Sequence, residues 1–261
     1  MLHKIRIFIF SGINIAHSIR LEIHKEEKWG EKKLMSGVHN LIDSSLAHKL
    51  RLDTISNNLA NINTNAFKKD VISFNQVLTM KNTSAIDLTP GPIRYTGNKF
   101  DVALGSPGFF KIQTSRGIRY TRDGSFTLNE DGLLVTQNGD TVLGQNGPIR
   151  INGSNVSMNI DGQVLVENEP VDRILVMDFR QPRLLRKEGS SSYIYQGEER
   201  DIFAAENVSV QQGYTEGSNV SPIQEMIKMV EALRAFESAQ KAIQCMDEIT
   251  DKMVNDPGLL Q

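Results

Sequence analysis

Catalysis would require a nucleophile with its base, a pair of carboxylates, or a cluster of metal ligands, and this chain offers few candidates. All five histidines, His3, His17, His24, His39 and His48, precede residue 49. A serine or cysteine nucleophile beyond that point has no histidine base from its own region. His48 and the single cysteine, Cys245, could meet only if the two ends of the chain pack together, and a seam histidine and a structural thiol are the commoner uses of such residues. Asp101, Asp123, Asp131 and Asp161 could supply a glycosidase-type carboxylate pair. Three of them, however, stand directly before glycine, as turn residues do. "NEDG" and "QNGD" lack the ligand spacing of a calcium loop, and no helix follows the glycines of "GSPGF" to cradle a phosphate. The expectation is no catalytic residue, no cofactor and no metal.

What remains chemically unusual is a crowd of amides. "SNNLANINTNAFKKD", Ser56 to Asp70, holds Asn57, Asn58, Asn61, Asn63 and Asn65 within nine positions. Asparagine is a mediocre helix former because its amide competes with the backbone, but it suits caps and specific polar contacts. Asn57, Asn61 and Asn65, four apart, would form one polar stripe while a helix lasts, and buried amides of that kind can fix register. Local capping by Asn63 and Asn65 is the alternative.

The elements that must carry these residues are helices at the two ends. Leu41, Ser45, His48, Leu52, Ile55, Leu59 and Ile62 recur at alternating steps of four and three, a heptad-like seam. Met226, Met229, Leu233, Phe236, Ala239, Ile243, Met246, Ile249 and Met253 repeat the idea near the other terminus. Asn219, Ser221 and Pro222 supply the start of that helix, with Glu225 in its first turn, and Pro257-Gly258 ends it. Two such helices pair as a coiled coil or form an ordinary layer over a sheet.

Between them, Asx-Gly pairs punctuate the chain at residues 123, 131, 138, 146, 152 and 161. Asx-Gly favours two-residue hairpins with both central residues at positive φ. Short strands such as "SFTL", "LLVT", "TVLG" and "PIRI" fall between, extended by "KFDVALGSPGFFKIQT" upstream and "RILVMDF" downstream. The fold class expected is α+β, an antiparallel β-rich central domain flanked by long N- and C-terminal helices that pair as a coiled coil. The expected divisions are a leader over 1–34, an N-terminal helix and export or assembly segment over 35–78, a connector over 79–99, a β-rich domain over 100–217 and a C-terminal helix over 218–261.

Composition narrows the partners. A hydrophobic fraction of 39% with 23% charged residues is ordinary for a chain with a real core. A net charge of −2 with scattered Lys and Arg offers no nucleic-acid footprint. No apolar run approaches the roughly 20 residues that span a bilayer. The first 34 residues differ, with seven Lys or Arg against four Glu and the only Trp. Arg6 breaks their apolar run and no small-residue cleavage site follows, so they make a poor signal peptide. Gly30-Glu31 would be encoded by a purine-rich stretch resembling a ribosome-binding site, which points to translation starting at Met35.

"LRLDTISNNLANINTNAFKKD" resembles the N-terminal signature of the bacterial flagellar rod and hook proteins, approximately L-D-x-x-x-x-N-L-A-N-x-x-T-x-G-F-K. Ala66 stands where that family usually has glycine. "GNKFDVALGSPGFFKIQTSRGIRYTRDGSFTLNEDGLLVTQNGDTVLG" is similar to the family's central block, which runs into Y-T-R-x-G-x-F. "GYTEGSNVSPIQEMIKMVEALRAFESAQKAIQCMDEITDKM" is similar to its C-terminal helix signature. "LRKEG" and "GSNVSPIQEMIKMVEALRAFE" are most similar to the proximal-rod FlgF type, then to the distal-rod FlgG type.

The resemblance implies a structural subunit of the flagellar basal-body rod and no enzyme. It implies terminal helices that assemble with other copies and with neighbouring rod and hook proteins. It also implies export by the flagellar type III apparatus without a cleaved signal, and a location in the rod across the periplasm. The assembly-interface residues expected are Leu52, Ile55, Asn58, Leu59, Asn61, Ile62 and Phe67 at one end, and Met229, Leu233, Phe236 and Ile243 at the other. Each apolar side chain among them, fully buried, is worth roughly 1.5 to 3 kcal/mol. A soluble enzyme, a sugar-binding β-domain or an adhesin-like module is the rival reading, weakened by the missing site.

Overall fold

A computed structural model describes residues 37, 40–72 and 85–255. The expected leader over 1–34, Met35 and the Pro257-Gly258 stop lie outside the described residues. The protein is α+β, a β-rich central region with two helices. It divides into two compact units, one holding residues up to Leu50 and from Ala232 onward, the other Arg51–Glu231. Helix α1 covers residues 40–60 and helix α2 covers Pro222–Asn255, so each contributes to both units.

Pro222 sits at the first helical position of α2, where its missing N–H costs nothing, and Glu225 N donates to Ser221 O at 3.0 Å to open the helical ladder. A line of buried and half-buried positions runs along α2 through Glu225, Met229, Ala232, Phe236, Ala239, Ile243 and Met246, spaced alternately four and three, with half-buried Lys228, Ala235 and Ala242 beside it. Met226 and Leu233 lie outside that line and are exposed. On α1 the expected positions Leu41, Ser45, His48, Leu52, Ile55 and Leu59 are all buried or half-buried, while Ile42 and Leu46 are exposed.

In the first unit the two helices touch. Gln240 Nε2 donates to Ser45 Oγ at 3.0 Å, and a Cβ added to Gly37 would lie 3.2 Å from Met246 Cε. Rising numbers on one helix therefore meet falling numbers on the other. That register puts Cys245 beside the start of α1, roughly 15 Å along the helix from His48 at 1.5 Å per residue.

In the second unit most strands join one antiparallel sheet. Its main order is Leu185–Lys187, Ser192–Tyr195, Gly117–Thr121, Phe109–Thr114, Thr141–Gly144, Leu134–Thr136, Phe126–Leu128, and Val176–Phe179 adds to Phe109–Thr114. Alternation on Phe109–Thr114 supplies two cores. Phe110 and Ile112 pack with Val102, Leu104, Phe126, Leu134, Val142 and Val176. Phe109 points the other way, among Tyr120, Phe179, Leu185 and Tyr193. Two short pairings tie the ends of the unit in: Val102–Leu104 with Val210–Gln212, and Ile93–Tyr95 with Tyr214–Glu216. Residues 85–86 and 93–95, within the expected connector, are strands.

The Asx-Gly turns differ from the two-residue hairpins expected. At Gly132, Gly139 and Gly162 only the glycine has positive φ. The first of these lies in a longer loop, where Asn129 Oδ1 accepts from Asp131 N and Leu133 N and so replaces a second left-handed residue. Gly124 is not at positive φ at all; its Cβ would fall 1.7 Å from Val102 O, so close backbone approach demands it. Among the described residues, the turn with both central residues at positive φ is Glu167-Asn168, between Gln163–Val166 and Glu169–Arg173. It carries no glycine.

Candidate functional site

The amide-rich stretch lies within the second unit, where it ends α1 and turns the chain. Asn61 Nδ2 donates to Asn57 O at 2.8 Å, a carbonyl that also accepts from Asn61 N at 3.3 Å as the last helical turn closes. Thr64 Oγ1 then donates to Asn61 Oδ1 at 3.2 Å. The expected stripe of Asn57, Asn61 and Asn65 does not form, because the helix has ended before Asn65, whose amide donates to Ser125 Oγ at 2.8 Å. The buried amide is Asn58. Its Oδ1 accepts from Asp70 N at 2.8 Å and its Nδ2 donates to Asp70 O at 3.0 Å, as a neighbouring strand would. The same Nδ2 lies 3.4 Å from Glu225 Oε2, on the first turn of α2.

Ala66 has φ 54° and is fully buried. A left-handed alanine is strained because its Cβ crowds the following carbonyl. The position where the resembled family uses glycine therefore does have positive φ, and Ala66 occupies it. Ala66 N donates to Glu216 O at 2.8 Å, and Asn219 N to Phe67 O at 3.1 Å. Asn219 also accepts from Lys69 N at 2.7 Å and donates to Asp87 O at 2.8 Å. Phe67 is buried beneath Lys187, whose ammonium lies 3.9 Å from the ring centroid and 2.9 Å from Asp70 Oδ2.

At the centre lies a buried ion triad. Glu216 accepts from Lys68 Nζ on Oε1, and from Arg122 Nε at 2.9 Å on Oε2. The Lys68 and Glu216 side chains are each 1% exposed, and Arg122 is 4%. Two cations share one carboxylate, and backbone carbonyls solvate the excess. Lys68 donates to Thr89 O at 2.8 Å; Arg122 donates to Ser106 O and Gly108 O at 2.7 Å and to Leu104 O at 3.1 Å. Burial pulls the Lys68 ammonium below the usual lysine range, against the opposing attraction of Glu216. Nearby, burial would raise Asp87, but hydrogen bonds from Thr89 and the charge of Lys69 hold it below the usual aspartate range.

This arrangement ties three segments of one chain to each other. Every charged group in it is satisfied from within, and among the described residues no group of three or more His, Cys, Asp or Glu could hold a metal. No described helix is long and apolar enough to cross a membrane.

The structure gathers Ile55, Asn58 and Phe67 here as buried residues, with Leu52, Leu59, Asn61 and Ile62 half-buried. Met229, Phe236 and Ile243 are half-buried on α2, and Leu233 is exposed. Sequence reasoning passed over Arg122 and Glu216, and it read Asn219 and Glu225 only as helix-start residues and Lys68 only as a motif position. The signal that all five share is that each stands inside one of the three family-like motifs.

Three family models match the chain: flagella basal body rod protein over residues 47–68, flagellar hook protein FlgE/F/G D1 domain over 103–166, and flagellar basal body rod FlgEFG protein C-terminal over 211–256. A flagellar basal-body rod protein FlgF of Caulobacter vibrioides is 33% identical over 228 residues, which cover 79% of this chain and 91% of that protein. The chain belongs to the flagellar basal-body rod protein family. The FlgF of Rhizobium meliloti is 29% identical over 238 residues, covering 86% of this chain and 99% of that protein. The FlgG of Bacillus subtilis is 30% identical over 263 residues, covering 86% and 98%.

As a flagellar basal-body rod family member, the protein is a structural subunit of the flagellar basal body and not an enzyme. Each matched segment supplies one member of the triad: Lys68, Arg122 and Glu216.

Proposed function

We propose that this rod-family subunit assembles by packing its terminal helices as a coiled coil against one another and against those of neighbouring copies. The observation that carries this reading is an apolar stripe left uncovered on α2. Ile223, Met226, Ile227, Val230 and Leu233 are 71%, 52%, 55%, 49% and 43% exposed. They follow helical spacing beside the heptad line through Met229, Ala232, Phe236 and Ile243. One helix thus has two apolar faces, and an isolated subunit covers only one. Leu52, Ile55, Asn58, Leu59, Asn61, Ile62 and Phe67 anchor the last turns of α1 and the segment after it within the second unit. Met229, Phe236 and Ile243 form the intrachain seam, and Leu233 faces a neighbour.

A contact repeated head to tail without closing makes a filament, which suits a rod. The further parts of the reading are export through the flagellar type III apparatus, contacts with other rod and hook proteins, and the division into an assembly segment over 35–78, a connector, a β-rich domain and a C-terminal helix from 218. The proximal FlgF-type position is supported by "GSNVSPIQEMIKMVEALRAFE"; the similar identity to FlgG relatives supports the distal position as the second reading. Val230→Asp tests the stripe. The variant is expected to be made and to fold with an unchanged β-rich unit, yet to leave cells non-motile. Normal motility would refute the proposal.

A further inference from the structure

The Asx-Gly pairs at residues 123, 131, 138, 146, 152 and 161 give the chain a way to react with itself. The backbone nitrogen of a glycine can attack the side-chain carbonyl of the residue before it, because no Cβ hinders the approach. That nitrogen must first give up any hydrogen bond it donates, and the side chain must be free to turn toward it. Folding therefore decides which pairs are silent.

All but one are held. Gly132, Gly139 and Gly162 N donate to the carbonyls of Asn129, Thr136 and Asn159 at 3.0, 2.9 and 2.9 Å. Gly147 pairs with Gly144 across a two-residue turn, and Asn146 Nδ2 donates to Asp172 Oδ1 at 3.2 Å. Asp123 Oδ1 accepts from Ser125 N at 3.0 Å, and Gly124 backs onto Val102 O. Asn152-Gly153 differs. Both residues are exposed, and among the described residues neither the Asn152 side chain nor Gly153 N has a hydrogen-bond partner. Glu167 Oε1 accepts from Ser154 N and Asn155 N at 3.1 Å, so this capping begins one residue too late to hold Gly153 N. A Cβ added at Gly153 would lie 2.6 Å from Val166 Cγ1, so packing of the Gln163–Val166 strand keeps the unhindered nucleophile in place.

We propose that Asn152-Gly153 is a spontaneous modification site, at which the folded protein deamidates to aspartate and isoaspartate with water as the co-reactant. Gly153 N bonds to Asn152 Cγ and the side-chain nitrogen leaves as ammonia. Water then opens the succinimide ring at either carbonyl. Both products add a negative charge, and isoaspartate also lengthens the main chain by a methylene where Gly153 packs on Val166.

Peptide mapping by mass spectrometry tests the site, on the full folded chain held in mildly alkaline buffer and sampled over time. Asn152 should gain the mass of deamidation about fivefold or more faster than Asn138 or Asn146, each of which must first break a hydrogen bond. In concentrated urea, which removes the fold, the three rates should converge. Asn152→Ser should abolish the fast phase in the folded chain and leave the slow reactions at Asn138 and Asn146 as they were. The proposal is overturned if Asn152 has no lead over Asn138 and Asn146 in the folded chain, or if it keeps the same lead in urea.

Discussion

Glu216 is the residue on which the most depends, because its two oxygens serve a lysine and an arginine that no solvent reaches. Glu216→Gln keeps the shape and removes the charge, and urea denaturation should show a loss of about 3 to 5 kcal/mol. Ala66 is the opposite case, a residue that costs stability. A left-handed alanine is strained by roughly 1 to 2 kcal/mol and glycine returns part of the gain as chain entropy. Ala66→Gly should therefore raise stability by up to about 1 kcal/mol, while Ala66→Val should lower it. Asp123 gives a pH-dependent test. Burial pushes its carboxyl above the ordinary aspartate range, with hydrogen bonds from Ser125 opposing and Asp101 adding to the rise. The folded state thus disfavours the ionised form, and this penalty is present at neutral pH and relieved as pH falls through the raised value. Asp123→Asn keeps the Oδ1 that accepts from Ser125 N. Its advantage over wild type in urea denaturation should be largest near neutral pH and shrink toward about pH 4.

At the scale of the elements, the sequence disclosed the kinds and order of structure better than their faces. The α1 seam through Leu41, Ser45, His48, Leu52, Ile55 and Leu59 was legible because its apolar spacing and its burial coincide. On α2 they part company. Met226 and Leu233 attract a pattern based on size, yet the inward positions are Glu225 and Ala232, because a small residue lets an element approach closely and Glu225 serves Asn58 and Lys228. The triad was illegible for a related reason: charged residues in motifs look like surface, and only the fold shows that they pair over separations of 94 and 148 residues. Glu167-Asn168 escaped notice because its hairpin has no glycine. Ala232→Leu should destabilise the isolated subunit by about 1 to 3 kcal/mol through overpacking. Leu233→Ala should change it by less than about 0.5 kcal/mol, as an exposed substitution does. Calorimetry of both variants distinguishes the two faces.

At the scale of the molecule, the protein is a β-rich body whose three family motifs meet in one buried cluster, with a long helix that keeps an apolar stripe uncovered. Under the proposed assembly, such a design leaves the subunit unfinished by itself. Rod-family membership supplies the setting in which neighbours would finish it. The central claim is that this chain is built into the rod, and the most direct test is quantitative mass spectrometry of basal bodies purified from the parent bacterium. Its peptides should be recovered there, from the β-rich region and α2 alike, in constant ratio to the other rod proteins. Absence from intact basal bodies, in cells that make the protein, would contradict the account.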